Sequence, residues 1–110
     1  MPISKNESEF QTSLATMLRK KGWLVTKMTA SLNGWPDLLL LHEDIPGHTI
    51  YVELKIGGNS LSPAQKQMIA QIKATGNIVI VCRKLESTTM EKVFTKLISD
   101  ISKQIKLKQT

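Results

Sequence analysis

One cysteine, two histidines, no long apolar run and no low-complexity stretch: each shortage in this sequence closes off a class of protein. With Cys82 alone, an internal disulfide and a multi-cysteine zinc site are excluded, and the expected role of the thiol is packing. No apolar run approaches the ~20 residues needed to cross a bilayer, so no membrane partner is expected. The opening segment MPISKNESEF has no apolar stretch following a basic one, which argues against a cleaved secretory signal and for an intracellular location. At 110 residues a second core would leave each half too small to fold unaided, so residues 1–110 read as a single domain. Acids are also scarce, 9 against 15 lysines and arginines, and the resulting net charge of +6 favours a polyanionic partner. Much of that excess lies in Arg19, Lys20 and Lys21 and in Lys103, Lys106 and Lys108, where a solvated helix end is an equal reading.

What is present is a regular alternation of elements. Phe10, Leu14, Met17 and Leu18 recur at helical spacing, predicting a helix from Ser4 or Asn6 to about Lys21, closed by Gly22. Trp23 to Met28 reads as a strand, Thr29 to Pro36 as a loop, and the short apolar run Asp37 to Leu41 as a second strand. Pro46 and Gly47 punctuate a turn before a third strand, Thr49 to Lys55, which is expected to pair with the second as a hairpin. Ser62, Pro63, Gln65 and Gly76 supply cap, first turn, capping-box partner and terminator for a second helix. Asn77 to Arg83 is nearly all apolar, predicting a central strand covered on both faces. Val93, Phe94, Leu97, Ile98, Ile101 and Ile105 mark a last helix. The order is αβββαβα, an α/β sandwich around a mixed sheet.

The hairpin brings Asp37, at the start of one strand, to the same sheet edge as Glu53 and Lys55, at the end of the next. Glu53 and Lys55 are two residues apart, so both point to one face. Two hard carboxylates suit magnesium or manganese, an ion that polarises a phosphoryl oxygen and activates water, and the lysine would stabilise developing negative charge. An isolated E-x-K is also an ordinary charge ladder on a wet strand. An acid after a G-x-P turn meeting an acid-lysine pair in a basic chain is harder to dismiss.

These segments resemble the VRR-NUC domain of the PD-(D/E)xK nuclease superfamily. Gly34-Trp35-Pro36-Asp37 is similar to its G-x-P-D, Val52-Glu53-Leu54-Lys55 to its V-E-L-K, and Leu61-Ser62-Pro63-Ala64-Gln65 to its L-S-P-x-Q, in the family's order across roughly Glu7 to Cys82. The resemblance implies a restriction-endonuclease-like fold, Mg2+ or Mn2+ held by Asp37, Glu53 and the backbone carbonyl of Leu54, a catalytic Lys55, and Gln65 supporting the site from its helix. It also implies a glutamate on the first helix. Glu7 borders the apolar stripe, three and seven residues before Phe10 and Leu14, whereas Glu9 points away and is expected to be solvated. Glu7 is therefore the site candidate, with a capping box from Ser4 as its alternative, just as Gln65 has one with Ser62.

The activity implied is a metal-dependent, structure-selective DNA endonuclease, with a dimeric Holliday-junction resolvase of phage type as its sharpest form. Its location would be a bacterial or phage-infected host cytoplasm. Two equivalent sites in a twofold dimer suit a four-way junction, and the long apolar series of the last helix offers one surface for it, although such a series is more often core. A nuclease subunit of a larger repair or restriction complex and a non-catalytic DNA-binding module are the rivals. The second is disfavoured because acids kept beside DNA phosphates repel them. Trp35, Asn33 and Lys27 are candidate DNA contacts, and His42 and His48 are assigned no role, being lone histidines in a polar turn.

Overall fold

The computed structural model describes residues 5–28 and 33–108. The elements follow in the predicted order: α1 (Lys5–Lys20), β1 (Leu24–Lys27), β2 (Leu38–Leu41), β3 (Ile50–Ile56), α2 (Pro63–Ala74), β4 (Ile78–Lys84) and α3 (Met90–Lys108). Asp37 and Trp23, expected to open β2 and β1, stand just outside them. The expected Ser4 cap and half of the loop before Asp37, residues 29–32, lie outside the described residues.

Local chemistry explains the boundaries. Ser62 Oγ accepts from the Gln65 N–H at 3.1 Å while Gln65 Oε1 accepts from the Ser62 N–H at 2.9 Å, the reciprocal box expected from sequence. Pro63 follows at the first helical position, where its missing N–H costs nothing. Two turns depend on glycine's tolerance of positive φ, Gly22 after α1 (φ 92°) and Gly76 after α2 (φ 89°).

The sheet order is β1-β2-β3-β4, with β1, β2 and β3 antiparallel in sequence and β4 parallel to β3 through the α2 crossover. This corrects one expectation: β4 is an edge strand, not a central one. Its apolar run comes from helices on both sides, since α2 and α3 both pack on it. Cover on two faces writes the same pattern at an edge as in the middle.

Alternation sorts the sheet's side chains. Leu38, Leu40, Ile50, Val52, Leu54, Ile78, Ile80 and Cys82 face α1 and α3 and meet Phe10, Leu14, Leu18, Val93, Leu97 and Ile101 in the main core. Cys82 is buried there, as expected, and burial pushes its thiol up to about 12, far from reactivity. On the other face Val79 meets Ile69 and Ile72 of α2, with Trp35 and Tyr51 packed alongside. In α3, Phe94, Ile98 and Ile105 pack against the core while staying partly exposed. Part of the basic excess has a local cause: Arg19 and Lys20 end α1, and Lys106 and Lys108 end α3, where positive charge offsets the helix dipole.

Gly34 ties the loop before Asp37 to α2. It has φ 82°, and a Cβ there would lie 2.6 Å from the Ala64 carbonyl oxygen. Gly34→Ala should therefore destabilise the protein by on the order of 2 kcal/mol, from strain plus a backbone clash. Urea unfolding measures this, and an unchanged midpoint would show that the contact with α2 is dispensable.

Candidate active site

β2 begins at Leu38, opposite Val52, so β3 runs on past the start of its neighbour. Asp37 fills the vacated edge. Its Oδ2 accepts from the Leu54 N–H at 2.7 Å, and its own carbonyl accepts from the Met28 N–H at 2.8 Å at the end of β1. Its Oδ1 accepts from Gln11 Nε2 at 3.0 Å, which fixes the carboxylate from the α1 side. The N–H and C=O of a strand residue share one edge, so the Leu54 carbonyl faces this gap as well.

Glu53 lies on the α2 side of β3 and is only 1% exposed. Gln65 Nε2 donates to Glu53 Oε1 at 3.0 Å, so Gln65 both closes the capping box and reaches the site. Glu53 Oε2 is buried with no donor. Desolvation raises the Glu53 carboxyl first, and the charge and hydrogen bonding of Asp37, together with Glu7, add to this. Lys55 opposes them, and the balance is a pKa of about 8. Two ionised carboxylates side by side repel each other, so Glu53 holds a proton more readily while no cation is bound. Without that proton, Oε2 needs another positive partner.

The structure thus brings together Asp37, Glu53, Gln65 and, through their charges on Glu53, Glu7 and Lys55. Glu7 rather than Glu9 is the α1 acid that Glu53 feels, while Glu9 is exposed. Sequence reasoning missed Gln11. Its signal was available: four residues after Glu7, it shares that residue's face. Lys27 is exposed beside the site, its Nζ 3.2 Å from Thr12 Oγ1. Trp35 and Tyr51, each two residues before an acid, pack with ring centroids 6.2 Å apart.

The histidines stay outside the site. His42, assigned no role as a lone histidine in a polar turn, is half-buried and edge-on to Trp23, with centroids 4.8 Å apart. Its Nδ1 accepts from the Asp44 N–H at 3.0 Å, leaving Nε2 to donate to the Lys21 carbonyl at 3.2 Å. The ring braces a turn.

The model of the VRR-NUC domain matches residues 5–84, which include every one of these site groups. The chain belongs to the VRR-NUC family. It is therefore a member of the PD-(D/E)xK nuclease superfamily. A solved VRR-NUC domain is similar at 24% identity over 87% of this chain and 97% of its own, with a TM-score of 0.67. A second VRR-NUC domain protein is similar at 25% identity over 92% and 88%, with a TM-score of 0.63. The Holliday junction resolvase Hjc of Archaeoglobus fulgidus shares 18% identity over 74% of this chain and 71% of its own, with a TM-score of 0.58. These likenesses make the fold restriction-endonuclease-like. No curated protein matches the sequence.

Among the described residues, no three acids, histidines or cysteines stand close enough to form a metal cage by themselves. The VRR-NUC site is instead an adjacent pair of carboxylates, one with an unsatisfied buried oxygen. That donor set fits a magnesium-like ion, which takes one or two carboxylates and completes its shell with water and phosphate oxygens. Asp37, Glu53 and the Leu54 carbonyl would hold it.

Because folding raises Glu53 from 4.5 to about 8, the folded protein binds more protons than the unfolded chain between those values. Metal-free protein should therefore lose stability as pH rises through that window. We expect its Tm to fall from pH 5 to pH 9, Glu53→Gln to flatten the decline, and magnesium to oppose it by favouring the ionised form. An equal slope in Glu53→Gln would place the titration elsewhere.

Proposed function

We propose that the protein is a divalent-metal-dependent DNA endonuclease selective for branched structure, acting on junctions as a homodimer. The observation that carries this reading is the contact of Asp37 with Glu53 at a gap in the sheet, where Glu53 Oε2 is buried without a donor beside the Lys55 charge. Buried Glu53 and half-buried Asp37, held by hydrogen bonds from Gln65, Gln11 and Leu54, destabilise a metal-free fold when both are ionised, and a bound cation removes that cost.

A divalent cation bound there supplies positive charge that polarises the scissile phosphoryl group and lowers the pKa of an attacking water. The chain's own groups do the rest. Gln11 and the Leu54 N–H fix Asp37, and Gln65 fixes Glu53, so neither carboxylate has to reorganise as charge develops. Lys55, two residues from Glu53 on the same face of β3, steadies negative charge on the phosphate or orients the nucleophile. Glu7 adds a further acid at the rim. Lys27, with no ion pair among the described residues, is placed to grip a neighbouring phosphate.

Support for selectivity toward branched DNA comes from the fold, which is shared with Hjc, itself a Holliday junction resolvase. A twofold dimer would present two such sites to a symmetric junction. The partly exposed row Phe94, Ile98 and Ile105 of α3 is a surface suited to that contact.

Incubation with linear duplex, flap and four-way-junction DNA, with magnesium, manganese or chelator, tests this reading. Cutting should require the cation, and Asp37→Ala should abolish it. Lys55→Ala should slow it by on the order of 10²–10³. Tight binding without cation-stimulated cutting of any substrate would leave a binding module. Light scattering with and without a junction tests the dimer.

For Lys27→Ala we expect weaker binding across all sequences and a salt dependence shallower by about one unit of slope. An unchanged slope would mean that Lys27 meets only water.

A further inference from the structure

Parallel pairing sets Arg83 of β4 beside Lys55 of β3, with the two Cα positions opposite one another in the ladder. Ile80 and Cys82 turn into the main core while Val79 meets α2, so alternation puts Arg83 on the α2 side, the face that Glu53 and Lys55 share. Its side chain runs past the end of β3 to the turn at residues 57–59. There a single guanidinium nitrogen, Nη1, donates to the carbonyls of Gly57 at 2.6 Å and Asn59 at 2.8 Å. The turn has its own closure without Arg83: the Gly57 N–H donates to the Lys84 carbonyl at 2.9 Å, and the Asn59 N–H to the Ile56 carbonyl at 3.2 Å.

Two carbonyl acceptors need only one amino group, which an uncharged amide would supply. Arg83 brings in addition a full charge and the N–H groups of Nη2 and Nε, which donate to nothing among the described residues. The residue is exposed and belongs to no ion pair among the described residues. The acids around it are engaged or turned away. Asp100 of α3, which borders the same small cavity, is paired with Lys96 at 2.8 Å, and Glu53 meets Gln65 and Asp37. Lys84, next in the strand, faces the other side, where it lines a cleft with Glu9 and Glu86. Like charges opposite one another in a ladder repel, and an anion set against both Lys55 and Arg83 relieves that repulsion. The ground in front of them is open, since Gly58 is exposed and a Cβ on it would meet nothing within 4 Å. We propose that Arg83 holds a second phosphate of the DNA strand being cut, with the turn at 57–59 fixing its guanidinium so that the free N–H edge faces that phosphate. The proposal rests on the nuclease reading and adds how the strand is laid across the site, from the gap beside Asp37 over β3 toward β4. Strands lie ~4.8 Å apart and successive nucleotides rise ~3.4 Å, so the second phosphate lies about one to three nucleotides from the scissile bond.

The test replaces each phosphate around the branch of a flap DNA, one at a time, by an uncharged methylphosphonate. Affinity is measured by anisotropy in chelator, so that binding is read separately from cutting. One replacement that weakens wild-type binding about tenfold should cost Arg83→Gln nothing further, while the other replacements weaken both proteins alike. Glutamine keeps an amide donor for the turn, so its urea midpoint should match that of the wild type. Gly58→Glu, which offers the guanidinium a carboxylate from an open position, should erase sensitivity to the same phosphate, and Gly58→Gln should retain it.

Losses that simply add at every position, for both Arg83→Gln and Gly58→Glu, overturn the proposal and leave Arg83 a brace for the turn. Cutting of the unmodified flap with magnesium is scored in parallel. A coupled phosphate farther than about three nucleotides from the bond that is cut also overturns the proposal. Absence of cutting would overturn the nuclease reading, while the coupling between Arg83 and one phosphate still judges Arg83.

Discussion

A single hydrogen bond sets the shape of the site: the Leu54 N–H, which a longer β2 would have paired, is taken by a carboxylate oxygen of Asp37 at 2.7 Å. The side chain stands in for a strand. Had β2 continued backwards by two residues, the ladder would have closed over Glu53 and separated the two faces of the sheet. Because it stops, α1 reaches the gap from one face with Gln11 and Glu7, and α2 reaches it from the other with Gln65. The edge of β3 becomes a place where three layers of the fold address the same few ångströms.

That arrangement concentrates negative charge where water is scarce. Glu53 is flanked along β3 by Val52 and Leu54, both buried in the main core, and its burial is imposed by theirs. The apolar packing of α1 and α3 against the sheet supplies the stability with which the acids are held together. A carboxyl near pH 8 is therefore the mark of a site whose scaffold and chemistry oppose one another, as functional sites tend to do.

Much of this was readable from sequence because it follows from short-range geometry. Alternation along a strand places Glu53 and Lys55 on one face, the i to i+3 box places Gln65 at the start of α2, and helical spacing separates Glu7 from Glu9. What escaped depends on the third dimension. The edge position of β4 was hidden because helices cover both its faces. Gln11 reads in sequence as a polar residue bordering an apolar stripe, and only the fold shows that it meets an aspartate 26 positions later. The order of strands and the partner of a polar side chain are long-range facts, and residue type encodes them weakly.

The double engagement of Gln65 also narrows what can replace it. A capping box accepts glutamate as readily as glutamine, so helix stability alone would leave position 65 free to be either. Here the amide has two ends in use: its oxygen on the Ser62 N–H and its nitrogen donating to Glu53. A glutamate could keep the first bond but would turn the second into a repulsion between like charges in a dry pocket. One atom's difference, oxygen for nitrogen, separates a residue that merely starts a helix from one that also steadies a buried acid.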